Sequence, residues 1–490
     1  MSTTVAEEKG TPSSIQNSLS QRKETPITFE RPKGWRGIYY HPVTQLMVLG
    51  FVCFLCPGML NALTGLGGGG QVNATTSANS TCVLNSTYAV FGFFFGTVNN
   101  MIGAKRTLVL GTLGYVLYIG SFLATKIHPG VSGAGDFVVF SSAILGVTAA
   151  FLWTAQGSLM LSYATEAQKG IYIGIFLAIY NLGAVVGSAV FFGQNFHLTD
   201  NSVGNGVYIG FMILTIMGIG VSMLMGDPEK MIRTDGTKVF IARRSSWKSK
   251  ICGTWVAIVT DPLILLLFPM FFASNWFYTW QFNDYNFALF NLRAQALNNL
   301  VSGLSQIFGS VLIGGLVLDQ KRLRRRTRAF TGWFVLLAMT FIVHIWSYFY
   351  QRTYTRWAIL PYSRKIDIYD SEYPAHIWLM IFYGLLDAMW QTTAMWLIGA
   401  MSNDINKLAI FSGFYHSIQT AGTAGAWRMD AIGMPYMTIL LSAWGLLVGS
   451  LVLAFPMIYL RVKDHTAVGD ETLIQLGEPA SKVETEVEAI

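Results

Sequence analysis

Charge is what this sequence has least of. Asp, Glu, Lys and Arg make up 12% of its 490 residues, about half the share of a soluble domain. A bilayer penalises an Asp, Lys or Arg at a helix centre by roughly 2.5 to 3.5 kcal/mol. With 52% hydrophobic residues, this depletion argues for one membrane unit rather than several soluble domains. Cysteine is scarce too. Four cysteines are too few for a disulfide scaffold. Cys53 and Cys56 lie in an apolar run and Cys252 in a basic loop. Only Cys82 falls in a segment expected outside, so all four read as free thiols. The seven histidines show no metal-ligand spacing. The Gly67–Gly70 run is not followed by Lys-Ser or Lys-Thr, which removes a phosphate-binding loop and nucleotide-driven pumping. No catalytic constellation is found, so neither an enzyme nor a cofactor is expected.

What is present is a series of apolar runs. A membrane-spanning helix takes roughly 20 apolar residues. Such runs predict spans at 43–63, 87–104, 107–125, 137–160, 171–193, 207–225, 262–280, 296–318, 329–349, 376–400, 408–426 and 436–460. Residues 1–42 read as a disordered cytosolic tail without an apolar signal region, leaving the first span as an uncleaved signal-anchor. Residues 226–261 form a central cytosolic loop and 461–490 a cytosolic C-terminal tail.

The net charge of +7 does not indicate a nucleic-acid partner, because the basic residues sit in short connectors. On this topology 26 of the 33 Lys and Arg residues fall on one side, which the positive-inside rule makes cytosolic. The loop after span 9 is the exception, with Arg352, Arg356, Arg364 and Lys365. The uncharged connector after span 1 agrees with this orientation. It carries three glycosylation sequons, at Asn73, Asn79 and Asn85. Both termini are then cytosolic, in a membrane of the secretory pathway, plasma or vacuolar/endosomal.

The chain also repeats itself. Gly96 to Asn100, followed by Gly103, Lys105 and Arg106, corresponds to Gly315 to Asp319, followed by Lys321 and Arg322. Trp153 corresponds to Trp390, Lys169 to Lys407, and Gly183 to Gly422. The fold class expected is therefore all-α and integral to the membrane. Two six-helix bundles, 43–225 and 262–460, are related by a parallel pseudo-two-fold repeat. Gly92-xxx-Gly96 and Gly183-xxx-Gly187 suit close helix packing.

The loop after span 2 resembles the signature of the major facilitator superfamily: Gly, an Asp four residues later, then Gly and a basic cluster. Asn100 stands where the Asp is expected, and the second copy keeps Asp319 but has Arg322 in place of the second Gly. A wider resemblance rests on Thr64–Gly70, Asp261-Pro262, Phe268-Pro269, Phe271–Trp276, Gln281, Asn283, Arg293 and Ala296–Asn299. These are similar to the fungal relatives of the "uncoordinated" regulator (Unc ninety-three-like) family, a divergent branch of the same superfamily. The resemblance implies a twelve-span facilitator fold and leaves the substrate open. Some animal members are thought to regulate channels or escort receptors.

Ionisable groups inside spans are functional candidates. Asp387 is the foremost, mid-span in span 10 beside Trp390 and Gln391. Burial penalises a charged carboxyl, which suits a proton-coupling group; the structural alternative is a hydrogen bond to a neighbouring helix. His344 and His416 could titrate, although an interhelical hydrogen bond accounts for each. Asn275 and Gln281 in span 7, with Asn61, Gln156 and Asn181 in the first half, could line a cavity for a small neutral or weakly polar solute. They could equally be helix-packing contacts. By analogy with the signature, Asp319 is expected to face Lys169, and Asn100 to face Lys407, as cytosolic gates. The function expected is a secondary transporter of a small solute, working by alternating access with a proton as candidate coupling ion. The alternative is a non-transporting partner of another membrane protein.

Overall fold

The computed structural model describes residues 29–65, 74–128, 131, 133–165, 169–196, 204–239, 262–318, 320, 322–358, 364–401 and 405–462. Among these, twelve long helical segments follow one another. In the first half they are α1 (Pro42–Thr64), α2 (Ala74–Ile102), α3 (Ala104–Ile127), α4 (Ala134–Tyr163), α5 (Lys169–Asn195) and α6 (Asn205–Met223). In the second they are α7 (Pro262–Ala273, continued as π-helical Thr279–Phe287), α8 (Leu292–Leu318), α9 (Arg325–Gln351), α10 (Tyr373–Met401), α11 (Ile405–Ala431) and α12 (Tyr436–Arg461). Helices of this length satisfy every mid-span backbone group internally, as a bilayer demands. Ends are set locally. The His41 side chain caps α1 by accepting from Val43 N, with Pro42 in the first turn. Asn291 caps α8 through Ala294 N. Gly103, at φ 92°, supplies the left-handed residue between α2 and α3.

Eight of the twelve segments are long and apolar enough to cross a membrane by composition alone. The other four are α2, α7, α10 and α11. Of these, α7 is apolar but short before its break, and all four line the cavity described below. Large apolar side chains such as Ile213, Phe334, Phe349 and Val452 are exposed on the outer faces, where lipid replaces water as the solvent.

Small residues hold the helices together. A Cβ on Gly183 would meet the Phe54 carbonyl oxygen at 2.5 Å, so α5 rides directly on α1. In the second half a Cβ on Gly422 would meet the Phe272 carbonyl oxygen at 1.9 Å, so α11 rides on α7. Two glycines paired by the sequence repeat thus perform the same packing task in each bundle. The bundles meet along two seams, α2 against α11 and α5 against α8.

Three expectations are corrected. First, α2 begins at Ala74 rather than 87, so Asn79 and Asn85 stand in a helix and not in a loop. The segment is polar yet helical because its side chains bond inward: Thr81 Oγ1 to Ser77 O, Thr87 Oγ1 to Val83 O, and Ser80 to the Tyr118 hydroxyl. Asn85 is buried and donates its amide to Thr81 O at 2.8 Å. That amide is not presented to solvent, which removes Asn85 as a glycan acceptor. Asn79 is half-buried and accepts from Arg428 Nη1 at 3.1 Å, while Asn73 lies outside the described residues. Second, span 7 does not stop at 280. It breaks at 274–277 and resumes as a π-helix. Third, residues 29–41 are structured. Helix Trp35–Tyr39 is followed by the start of α1, and Arg31 and Phe29 bond to Arg233 and Gly236 of the central connector. Cys53, Cys56 and Cys82 are free. Cys252 lies outside the described residues.

The basic residues around the connector after α9 are tied to the second bundle. Arg356 pairs with Asp430 and Asp284, and Lys365 donates to Phe287 O. Arg293, at the start of α8, is bidentate on Asp367.

Candidate functional site

A cavity of about 270 Å³ lies between the two bundles. From the first bundle it is lined by α1, α2, α3, α4 and α5, and from the second by α7, α8, α10 and α11. Seven of the expected residues meet in it: Asn61, Gln156, Asn181, Asn275, Asp387, Gln391 and His416.

Local irregularities aim these side chains. Pro57 has no N–H to donate and clashes with the preceding turn. Around it α1 opens into a π-helical stretch, Phe54–Gly58, one turn before Asn61. Asn61 Nδ2 donates to the Tyr180 hydroxyl at 2.6 Å. Tyr180 in turn meets Trp153 edge-on at 5.3 Å. Trp153 crosses to the second bundle, with its ring 5.7 Å from His416. The break in α7 does the same on the other side. It turns Asn275 and Tyr278 inward, and Gln419 donates to Asn275 Oδ1 and Ser274 Oγ, each at 3.1 Å. π-Helical insertions of this kind are frequent at functional sites.

Asp387 is the centre of the arrangement. Its side chain is 2% exposed. Oδ2 accepts from the Tyr278 hydroxyl at 2.8 Å and from Gln306 Nε2 at 2.9 Å. Oδ1 accepts from Gln391 Nε2, one turn along α10, at 2.8 Å. One carboxyl therefore ties α7, α8 and α10 together. Asp387 is the one charged side chain among the described residues of the cavity wall.

Trp390 and Gln281 are not brought to the cavity. Trp390 faces the packed interior and donates Nε1 to Met270 O at 3.2 Å. Gln281 is buried behind the wall, with Nε2 3.3 Å from Ser302 Oγ. His344 is buried in packing, with Nδ1 2.9 Å from Thr340 O. Of the expected cytosolic gates, Asp319 and the side chains of Asn100, Lys169 and Lys407 lie outside the described residues. At the opposite end the bundles are joined by hydrogen bonds. Asn286 Nδ2 donates to Gly65 O at 3.1 Å, Asn299 Nδ2 to Ser188 Oγ at 2.7 Å, and Arg293 Nη1 to Phe196 O at 3.1 Å.

Sequence reasoning did not select Gln306, Gln419 or Asn299 as site residues. The signal was available as helical spacing. Asn299, Ser302, Gln306 and Ser310 form one polar stripe on α8, and Tyr415, Gln419 and Thr423 form another on α11. Among the described residues no cluster of His, Cys, Asp and Glu is arranged to hold a metal ion.

This architecture, a cavity at the interface of two six-helix bundles, is that of a multi-pass membrane protein with the major facilitator fold. It is shared with the Escherichia coli fucose:proton symporter FucP (TM-score 0.56, 12% identity, 87% of this chain and 100% of that one). It is shared equally with the xylose transporter XylE of E. coli (TM-score 0.59, 12% identity, 88% of this chain and 100% of that one). At this identity the likeness is one of fold. Residues 68–453 match the family described as ion channel regulatory protein UNC-93, to which the chain belongs. An UNC93-like protein of Schizosaccharomyces pombe is 44% identical over 87% of this chain and 84% of its own length.

Proposed function

We propose that the protein is a secondary transporter of a small solute that works by alternating access, with Asp387 as the proton-coupling group. The observation that carries this reading is the cavity with its single carboxyl. A structural helix tie does not need a space of about 270 Å³ beside it, and sites in this fold lie between the two repeats. Tyr278, Tyr180 and Tyr415 are titratable groups around Asp387, and His416, Tyr88, Tyr115 and Tyr118 line the same cavity. No basic side chain among the described wall residues holds its charge permanently, which leaves the carboxyl free to exchange a proton between conformations. FucP, a fucose:proton symporter, has the same fold. Asp319 with Lys169, and Asn100 with Lys407, are proposed as the cytosolic contacts that form when the cavity opens outward. The sequons at Asn73 and Asn79 are proposed to face the lumen of the secretory pathway, both termini the cytosol, in the plasma membrane or a vacuolar/endosomal membrane.

A second reading is favoured by the family description. As a member of the UNC-93 family the chain could serve as a regulatory partner of another membrane protein, with the cavity as a remnant or a ligand switch. Uptake into proteoliposomes separates the two. The transporter reading expects flux of at least one solute, driven by a pH gradient and abolished by a protonophore. No flux across a broad panel, together with a membrane protein that co-purifies stoichiometrically, favours the regulator.

A further inference from the structure

The wall of the cavity has an asymmetry that a neutral solute does not explain. It carries a carboxyl and no Lys or Arg among its described residues. Both oxygens of Asp387 are engaged as acceptors by three neutral donors, Tyr278, Gln306 and Gln391. That is the hydrogen-bonding pattern of a carboxylate. No salt bridge to Asp387 occurs among the described residues. Its charge must then be balanced by a proton or by something that enters the cavity.

The rest of the wall is suited to the second. Trp153 and Tyr180 stand at right angles to each other, 5.3 Å apart, in the first bundle. Tyr278, Tyr415 and Trp427 line it from the second. Tyr180 and Tyr415 are within electrostatic reach of Asp387. Aromatic faces attract organic cations through the ring quadrupole, and most strongly where water is excluded. An anion would meet only repulsion from Asp387. A hard inorganic cation is held by several oxygen ligands and gains nothing from the aromatic faces of this wall.

We infer that the cavity binds a small organic monocation, a quaternary or protonated amine, with Asp387 as counter-ion and Trp153, Tyr180 and Tyr278 as its aromatic walls. This deepens the transporter reading, on whose identification of the cavity as the solute site it rests. It also gives Asp387 two alternative occupants, the cation and the proton, so that the two compete.

Binding is tested on the full-length protein in detergent by quenching of tryptophan fluorescence, which needs no transport. The probes are choline and benzyltrimethylammonium. The control is 3,3-dimethylbutan-1-ol, the uncharged isostere of choline. The expected result is choline binding at least tenfold tighter than its isostere, with benzyltrimethylammonium tighter still. Asp387→Asn should erase the charge preference, and Asp387→Glu should retain it. Equal affinity for choline and its isostere overturns the inference, and this comparison uses the wild-type chain alone, so a misfolded variant cannot mask it. A charge preference that survives in folded Asp387→Asn also overturns it. If cations bind with the expected preference but no solute is taken up by proteoliposomes, the binding class stands and the transport reading falls. If neutral solutes are taken up and no cation is preferred, the reverse holds.

Discussion

Removing the Arg356 guanidinium would expose how the end of the second bundle at the connector after α9 is held. Arg356 donates Nη2 to Asp430 Oδ1 at 2.5 Å and Nε to Met434 O at 2.9 Å. Its Nη2 lies 3.6 Å from Asp284 Oδ1. The side chains are 20% exposed for Arg356, 5% for Asp430 and 0% for Asp284. Asp430 Oδ2 accepts from Asn283 at 2.8 Å, whereas neither oxygen of Asp284 accepts a hydrogen bond. The guanidinium is the cation that faces both buried carboxyls, and without it they are left side by side. Breaking a buried ion pair from one side costs about 3–5 kcal/mol, against about 0–1 kcal/mol for an exposed pair. The guanidinium also lies 4.3 Å over the Tyr436 ring, a contact of about 0.5–2 kcal/mol. Arg356→Met is therefore expected to destabilise the protein by about 3–5 kcal/mol. The assay is equilibrium unfolding in mixed detergent micelles. Adding Asp430→Asn to Arg356→Met should recover part of the loss, because it removes the repulsion; a non-additivity of about 1 kcal/mol or more is expected for groups in contact. An Arg356→Met variant within about 1 kcal/mol of wild type, the range of an exposed pair, would refute the reasoning. So would a double variant whose loss equals the sum of the single losses.

Lys365, in the connector after α9, has its pKa lowered from 10.5 to about 8 by burial. Above pH 8 the folded chain sheds this proton while the unfolded chain keeps it, so stability rises with pH up to about 10.5. Lys365→Gln should flatten that slope in unfolding measured across the same window, and an unchanged slope counts against the burial of the ammonium. Gly422→Val places a side chain where even a Cβ would sit 1.9 Å from the Phe272 carbonyl oxygen. Overpacking typically costs about 1–3 kcal/mol, and contact with backbone puts this case at or above that range. Size-exclusion profiles should show loss of the monodisperse peak, whereas Gly445→Ala, with nothing near its Cβ, should elute as wild type. In a secretory host, Asn85→Gln should leave the endoglycosidase-sensitive gel shift unchanged, and Asn73→Gln or Asn79→Gln should reduce it. A shift lost on Asn85→Gln contradicts the buried amide.

The helices could be read from the sequence as the apolar runs a bilayer imposes, eight of the twelve by length and composition alone. The repeat was legible where packing demands glycine, as Gly183 and Gly422 show. Boundaries failed where polar side chains satisfy one another within a helix. The sequon-bearing stretch 74–86 has no apolar run to announce it, yet Thr81, Asn85 and Thr87 bond into their own helix. The cavity was partly legible. Amides and a carboxyl inside spans stand out against their surroundings, and Asn61, Gln156, Asn181, Asn275, Asp387, Gln391 and His416 converge. Which face a side chain takes was not legible. Trp390 follows Asp387 by three residues yet points into packing, and Gln281 turns away in the π-helical part of α7. Gln306 escaped notice because its role depends on Asp387, eighty-one positions away.

Uptake of labelled choline into proteoliposomes tests the coupled carrier most directly. With a more acidic interior, accumulation in the wild type should grow with the pH gradient, because the cation and the proton exchange at Asp387. Asp387→Asn should accumulate none while remaining folded. Equal uptake by wild type and Asp387→Asn would contradict the role of the carboxyl. No uptake of any solute, from protein that is folded and correctly inserted, would contradict transport itself.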